Sequence, residues 1–415
     1  MKIVVYNLGC KVNQYECDSL VGELRRRGYE VVEELEYADV YILNTCAVTN
    51  EAERKSRQCV GRCLSFNPNG KVIVCGCASQ NDAEQFAHKQ GVTYVSGVAN
   101  KASLVDKLED EGVLVDELPT KYENNFHTIV ERTRAYVKIQ DGCNNFCSYC
   151  LIPYLRGRNR SRDAQSVVDE CMSLAENCKE IVLTGIDISS YGKDTGSSLV
   201  ELLGQLRGVK CRIRLGSLEV GVVTRELLEV CTQLYAFCPQ FHLSLQSGSN
   251  GVLKRMNRKY TNAEYMSRVE LIREFYPLAG ITTDVICAFP AESDEQAVES
   301  EQFVDSVGFG QVHVFVYSPR KGTVASRLEQ IGGEVAKARR DKMIEIGKAS
   351  KDKYLAEFLG REVEILVEEK QGDMMAGYSR EYIRCLVEDA EEGSLVRAVG
   401  KQIKNGELVC QIVKE

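Results

Sequence analysis

The sequence predicts an α/β protein: two successive parallel-sheet units followed by a small all-β barrel. Three observations predict it. Up to about Leu118, short apolar runs alternate with helix-like polar stretches. From Arg134 to about Arg327 the alternation resumes on a longer scale with six strand candidates. Residues 361–415 then carry short alternating runs broken by Gly and acidic turns.

In the first unit KIVVYNL, ADVYILNT and KVIVCG read as strands, rich in β-branched and aromatic residues. ECDSLVGELRRRGYE and NEAERKSRQCVGRCLSFN read as helices, the second with Asn50 as a possible cap. Strand–helix alternation of this kind favours a parallel sheet with crossover helices. Residues 119–134 read as a connector. AYVKIQ, EIVLTGI, CRIRLGS, QFHLSLQS, ITTDVICAF and QVHVFVYS are the six strands of the second unit, separated by helices such as AQSVVDECMSLAEN. Their number fits a closed or partly open α/β barrel better than a small doubly wound sheet. EVAKARRDKMIEIGKASKDKYLAEFLG is a charged helical bridge to the terminal barrel.

Composition narrows the function. The net charge of −8 argues against a protein that coats nucleic acid indiscriminately, though a local basic patch remains compatible with it. No apolar stretch is long enough for a membrane span. The opening MKIVVYNLGCKVNQYE becomes polar too early for a secretory signal, so a cytoplasmic location is expected. In a reducing compartment, 18 cysteines point to metal or redox chemistry rather than disulfides. Those from Cys171 onward, with Cys75, Cys59 and Cys63, read as small core hydrophobes.

The sharpest motif is DGCNNFCSYC, with Cys143, Cys147 and Cys150 spaced CxxxCxxC. A zinc finger would need a fourth Cys or His nearby, and none follows at the usual spacing. Three thiolates on one loop can instead hold three irons of a 4Fe–4S cube, leaving the fourth iron free to chelate S-adenosylmethionine. The loop follows the first strand of the second unit, so it belongs to the strand-end face where such barrels build sites. Arg156, Arg158, Arg160 and Arg162 follow directly with no acid between them, which suggests an anionic substrate beside the loop.

A second pattern is spread along the chain. Cys10, Cys46 and Cys77 each sit at the end of one of the first three strand candidates. In a parallel sheet those ends share one edge, where ligand sites form. Thiols distant in sequence can therefore converge on a second metal site.

With these residues in view, the chain resembles the radical-SAM methylthiotransferases essentially from end to end. LGCKVNQYE, NTCAVT, CGCASQ, KIQDGCNNFCSYCLIPYLRGRNRSR, LTGIDISSYG, HLSLQSGS, TTDVICAFPAES and FVYSPRKGT carry the resemblance. It implies a methylthiotransferase domain over residues 1–118 with an auxiliary 4Fe–4S cluster on Cys10, Cys46 and Cys77. It further implies a radical-SAM partial barrel over 132–345 and an RNA-binding TRAM barrel over 360–415. GCKVNQYE resembles the MtaB-type subgroup, which methylthiolates carbon 2 of threonylcarbamoyladenosine next to the tRNA anticodon. The alternatives are action on isopentenyladenosine, action on an aspartate of a ribosomal protein, and a non-enzymatic iron–sulfur RNA-binding or redox-sensing role.

The resemblance also implies two SAM molecules per reaction and an electron donor such as flavodoxin or ferredoxin. Tyr149, Thr184, Gly185, Glu219, Gln246 and Asp284 are the expected SAM-pocket residues, and the four arginines from Arg156 to Arg162 the expected tRNA contacts. The sequence departs from the family pattern at Gly216, Ala288, Ala291 and Glu381.

Overall fold

The computed structural model describes residues 1–124 and 133–413; half of the expected connector, residues 125–132, lies outside the described residues. The first unit is a six-stranded, all-parallel sheet. Its spatial order is Glu30–Val32, Lys2–Asn7, Val40–Thr45, Lys71–Gly76, Val92–Ser96 and Gly112–Leu114. The three strands read from the sequence are its centre; the short outer ones lack a long apolar run.

Alternation along the central strands divides the core into two layers. Val4, Leu43, Val72 and Val74 pack with Cys59, Val60 and Cys63 of the helix Asn50–Phe66. Ile3, Val5, Ile42, Ile73 and Cys75 pack with Cys17, Leu20, Val21 and Leu24 of the helix Lys11–Arg26. A sheet covered on both faces explains why its strands read as continuous apolar runs.

Two helix starts differ from the sequence reading. The first helix begins at Lys11, directly after Cys10, rather than at Glu16. Polar residues in KVNQY hid this turn, because Asn13 is directed at Cys10 and Asn44 rather than into an apolar core. The helix Asn50–Phe66 is capped by Thr49, whose hydroxyl accepts from Ala52 N–H at 3.1 Å, and not by Asn50.

The second unit holds all six expected strands in two sheets. Arg134–Asp141, Glu180–Gly185 and Arg212–Leu215 pair in parallel in one sheet. Gln240–Leu243, Gly280–Cys287 and Gln311–Val316 pair likewise in the other. The sheets part at Gly216, between Arg212–Leu215 and Ser217–Leu218, giving a partial barrel with one large apolar core. The terminal strands Glu362–Gln371, Met374–Ser379, Arg384–Val387, Glu407–Ile412 and Leu395–Lys404 close a separate barrel in that order. Among the described residues no helix is long and apolar enough to cross a membrane.

Glu180 ties the two barrels together. It is fully buried and meets Arg214 at 2.7 Å and Arg134 at 2.8 Å. Arg214 donates to the Arg380 carbonyl at 3.0 Å, and Arg134 meets Glu368 at 3.0 Å. Burial pushes the Glu180 carboxyl up, but Arg214 and Arg134 outweigh it and hold it down at about 2. A depressed carboxylate stabilises the fold above its ordinary value of 4.5 and loses that contribution as pH falls toward 2. The contribution is about 3 kcal/mol. Acid titration of unfolding is therefore expected to show a steep loss between these limits, flattened in Glu180→Gln.

Candidate functional site

Three parallel strands of the first sheet end in register, with Asn7 opposite Asn44 and Thr45 opposite Gly76. Cys10, Cys46 and Cys77 follow these ends and so share one edge. Cys10 is exposed there, while Cys46 and Cys77 are buried. Gly76 has φ +105°, and a Cβ on it would stand 2.6 Å from the Asn44 side chain. Glycine thus permits the turn that starts the helix Cys77–Asn81. Asn13 accepts from Cys10 Sγ at 3.3 Å and donates to Asn44 at 2.8 Å. Desolvation pushes the Cys10 thiol up, against the opposing pull of Arg156 and of the backbone N–H groups of Asn13 and Val12.

Arg156 completes this site from the second unit. Its Nε lies 3.3 Å from Cys77 Sγ, and its Nη1 lies 2.9 Å from Glu16 and 3.2 Å from Asp141. Lys101 also meets Glu16, and Lys138 bonds Glu16 at 3.1 Å and Asp141 at 2.7 Å. Among the described residues, Lys101, Lys138 and Arg156 are all buried around two buried carboxylates, Glu16 and Asp141. Buried positive charge in excess requires a counter-charge. A cluster held by thiolates supplies one, so the residues at this edge fit the auxiliary group.

The second triad lies on the loop after Arg134–Asp141. Gly142, at φ +72°, would place a Cβ 1.9 Å from the Arg158 carbonyl, so the loop entry requires glycine. Ser148 anchors the loop: its N–H donates to the Met256 carbonyl at 3.0 Å, and its carbonyl accepts from Ala325 at 2.8 Å. Each sulfur receives a donor. Asn145 N–H reaches Cys143, Ile152 N–H reaches Cys150 and Arg258 Nη1 reaches Cys147, all at 3.4 Å. Burial pushes the Cys143 and Cys150 thiols up to about 12 and Cys46 up to about 11. As free thiols these stay protonated near neutrality, and metal ligation releases the protons. Donors on all three sulfurs fit a cluster whose potential is tuned from the surrounding protein.

A cavity of about 530 Å³ opens beside Cys147, lined by Asp187, Ser189, Glu219, Asn257, Arg258 and Tyr260 among others. It has the size and mixed polarity of a small-molecule site. Glu219 is held by Arg258, and burial raises its carboxyl despite that partner. Of the expected pocket residues only Glu219 lines this cavity. Tyr149 packs edge-on against Phe289 at 6.3 Å under the loop. Thr184 is buried, and Gly185 backs onto Gln140. Gln246 donates its backbone N–H to Asp284 at 2.9 Å. Asp284 opens instead onto a larger cavity of about 890 Å³, where it faces His242 at 3.4 Å.

The arginine run needs correction. Arg156, Arg160 and Arg162 are buried. Arg162 is held by Glu170 and bonds Tyr15 at 3.1 Å, and Arg160 donates to the Arg156 and Arg158 carbonyls at 2.7 and 2.8 Å. Guanidinium groups committed to the interior do not face a phosphate. Arg158 alone is exposed, stacked 4.3 Å over Phe146 beside the 59% exposed Tyr154. Arg258, Asp187, Asn13 and Glu16 were not assigned from sequence. Arg258 lay in the basic KRMNRK, while Asn13 and Glu16 follow Cys10 at helical spacing within GCKVNQYE.

Residues 2–97 match the uncharacterized protein family UPF0004, and residues 137–304 match the radical SAM superfamily. The chain is 35% identical to threonylcarbamoyladenosine tRNA methylthiotransferase MtaB of Bacillus subtilis, over 97% of this chain and 92% of the relative. It is 37% identical to the protein of the same name from Aquifex aeolicus, over 91% and 95%. A tRNA-2-methylthio-N(6)-dimethylallyladenosine synthase from Thermoanaerobacter sp. is 34% identical, over 87% and 80%. Among solved structures, the radical SAM methyltransferase TsrM from Kitasatospora setae superposes with a TM-score of 0.57 at 14% identity, covering 78% of this chain and 77% of that one. That likeness is one of fold.

Proposed function

The chain belongs to the radical-SAM tRNA methylthiotransferases, and from that premise we propose that it adds a methylthio group to carbon 2 of N6-threonylcarbamoyladenosine at tRNA position 37. The family implies a 4Fe–4S cluster and S-adenosylmethionine. The further reading is of two clusters, one on Cys143, Cys147 and Cys150 and an auxiliary one on Cys10, Cys46 and Cys77. With it goes the division into domains at 1–118, 132–345 and 360–415.

One observation carries the reading: Arg156 joins the two triads. It follows the loop of the first and bonds Cys77 of the second. When bound, the clusters and SAM supply a carbon-centred radical and the methylthio sulfur. The chain's own residues do the rest. Arg156 donates to Cys77, and Asn13 in the first turn of the helix Lys11–Arg26 accepts from Cys10, so both sulfurs are held in place. Arg258 bridges Cys147 to Glu219 and so fixes the wall of the cavity that receives SAM. A flavodoxin- or ferredoxin-class donor in the cytoplasm supplies the electron.

Exposed Arg158 and Tyr154, with half-buried Phe146 between them, form a basic and aromatic surface at the loop, suited to a phosphate and an unstacked base. Arg158→Ala is expected to weaken tRNA binding and lower the slope of log K against log salt by about one, with Arg160→Ala leaving the slope unchanged. The reading itself is tested in a cell lacking its own methylthiotransferases. Expression of this chain restores the methylthio mark on tRNA bearing threonylcarbamoyladenosine; a mark restored only on isopentenyladenosine defeats it.

A further inference from the structure

The 890 Å³ cavity runs from Lys11 across His242, Asp284 and His313 of the partial barrel to Tyr354 and the terminal barrel. Most of its charges are already matched. Asp284 faces His242, and Arg384 is held by Glu369 and Glu407. Lys351, beside Gly406, and Glu381 also line the cavity, at the terminal-barrel end, and neither has an ion pair among the described residues. Lys11 is the cation at the other end. It is exposed, lines the cavity, and among the described residues its ammonium has no ion pair or hydrogen bond. It also follows Cys10 directly, so whatever the auxiliary site acts on lies within reach of this side chain.

We infer that this cavity receives the N6 substituent of the substrate adenosine and that Lys11 binds the carboxylate of its threonyl group, making Lys11 a specificity-determining residue. The inference rests on the substrate proposed above. An unpaired ammonium next to a reacting base is a poor neighbour for an apolar isopentenyl chain, because the chain would strip its water without replacing it. A carboxylate gives it a charge-assisted partner. His242, Thr282 and Gln240 on the same wall offer hydrogen-bonding groups for the hydroxyl and carbamoyl parts of such a chain.

The test is a binding measurement with reconstituted protein and three synthetic anticodon stem–loops. One carries threonylcarbamoyladenosine, one its methyl ester and one unmodified adenosine. Wild type is expected to prefer the acid over the ester by about tenfold or more, the equivalent of 1.4 kcal/mol. Lys11→Gln is expected to bind acid and ester alike, and Lys11→Arg to keep the preference, which shows that the site is intact. Equal binding of acid and ester by wild type, or a preference retained in Lys11→Gln, overturns the assignment. Wild type that turns over the acid-bearing RNA without preferring it overturns the Lys11 role alone. Failure to methylthiolate that RNA at all overturns the reading beneath it.

Discussion

Cys147→Ala is expected to abolish reductive cleavage of SAM, whereas Cys46→Ala leaves that cleavage in place and removes the methylthiolated product. On the proposed reading the two substitutions separate the triads, because each cysteine belongs to one of them. Cys147 is on the loop after Arg134–Asp141, receives Arg258 at 3.4 Å and borders the cavity assigned to SAM. Cys46 lies at the edge of the other sheet, between the strands that lead to Cys10 and Cys77. Deoxyadenosine and the modified nucleoside are measured in the same anaerobic reaction. Deoxyadenosine from Cys147→Ala contradicts the first assignment, and product from Cys46→Ala contradicts the second.

The second large effect belongs to a residue with no role in the chemistry itself. Glu16 is 2% exposed and binds Arg156, Lys101 and Lys138. Burial pushes its carboxyl up, but Arg156, Lys101 and Lys138 prevail and hold it well below the usual range. Glu16→Ala leaves three buried cations around Asp141 alone. Breaking a buried pair in this way costs about 3–5 kcal/mol. Denaturant unfolding gives the measurement, with Glu51→Ala as the comparison, since its pair with Arg54 is half exposed and screened by water. Equal losses for the two variants would show that the interior charge cluster carries no special weight.

Much of the architecture was legible because its signals are local. Continuous β-branched runs marked the central strands, and three cysteines after three such runs marked a shared edge. CxxxCxxC marked the other site with no need of tertiary information. What escaped depended on how distant pieces meet. The arginine run looked like a phosphate-binding surface because spacing does not reveal that Glu16, Asp141 and Glu170 face it from other elements. Asp284 lies late in the strand Gly280–Cys287 and Glu219 follows Ser217–Leu218 of the same sheet, yet the two line different cavities, which spacing along the chain does not reveal. The helix start at Lys11 was not legible in KVNQY, because Asn13 answers to Cys10, Asn44 and Arg156 rather than to an apolar core.

The measurement closest to the central claim is nucleoside mass spectrometry after an anaerobic reaction of reconstituted protein, SAM and reductant with two tRNAs. One bears threonylcarbamoyladenosine and the other isopentenyladenosine. A methylthio gain on the first alone is the predicted result. A gain on the second alone, or on neither while deoxyadenosine still forms, contradicts the account.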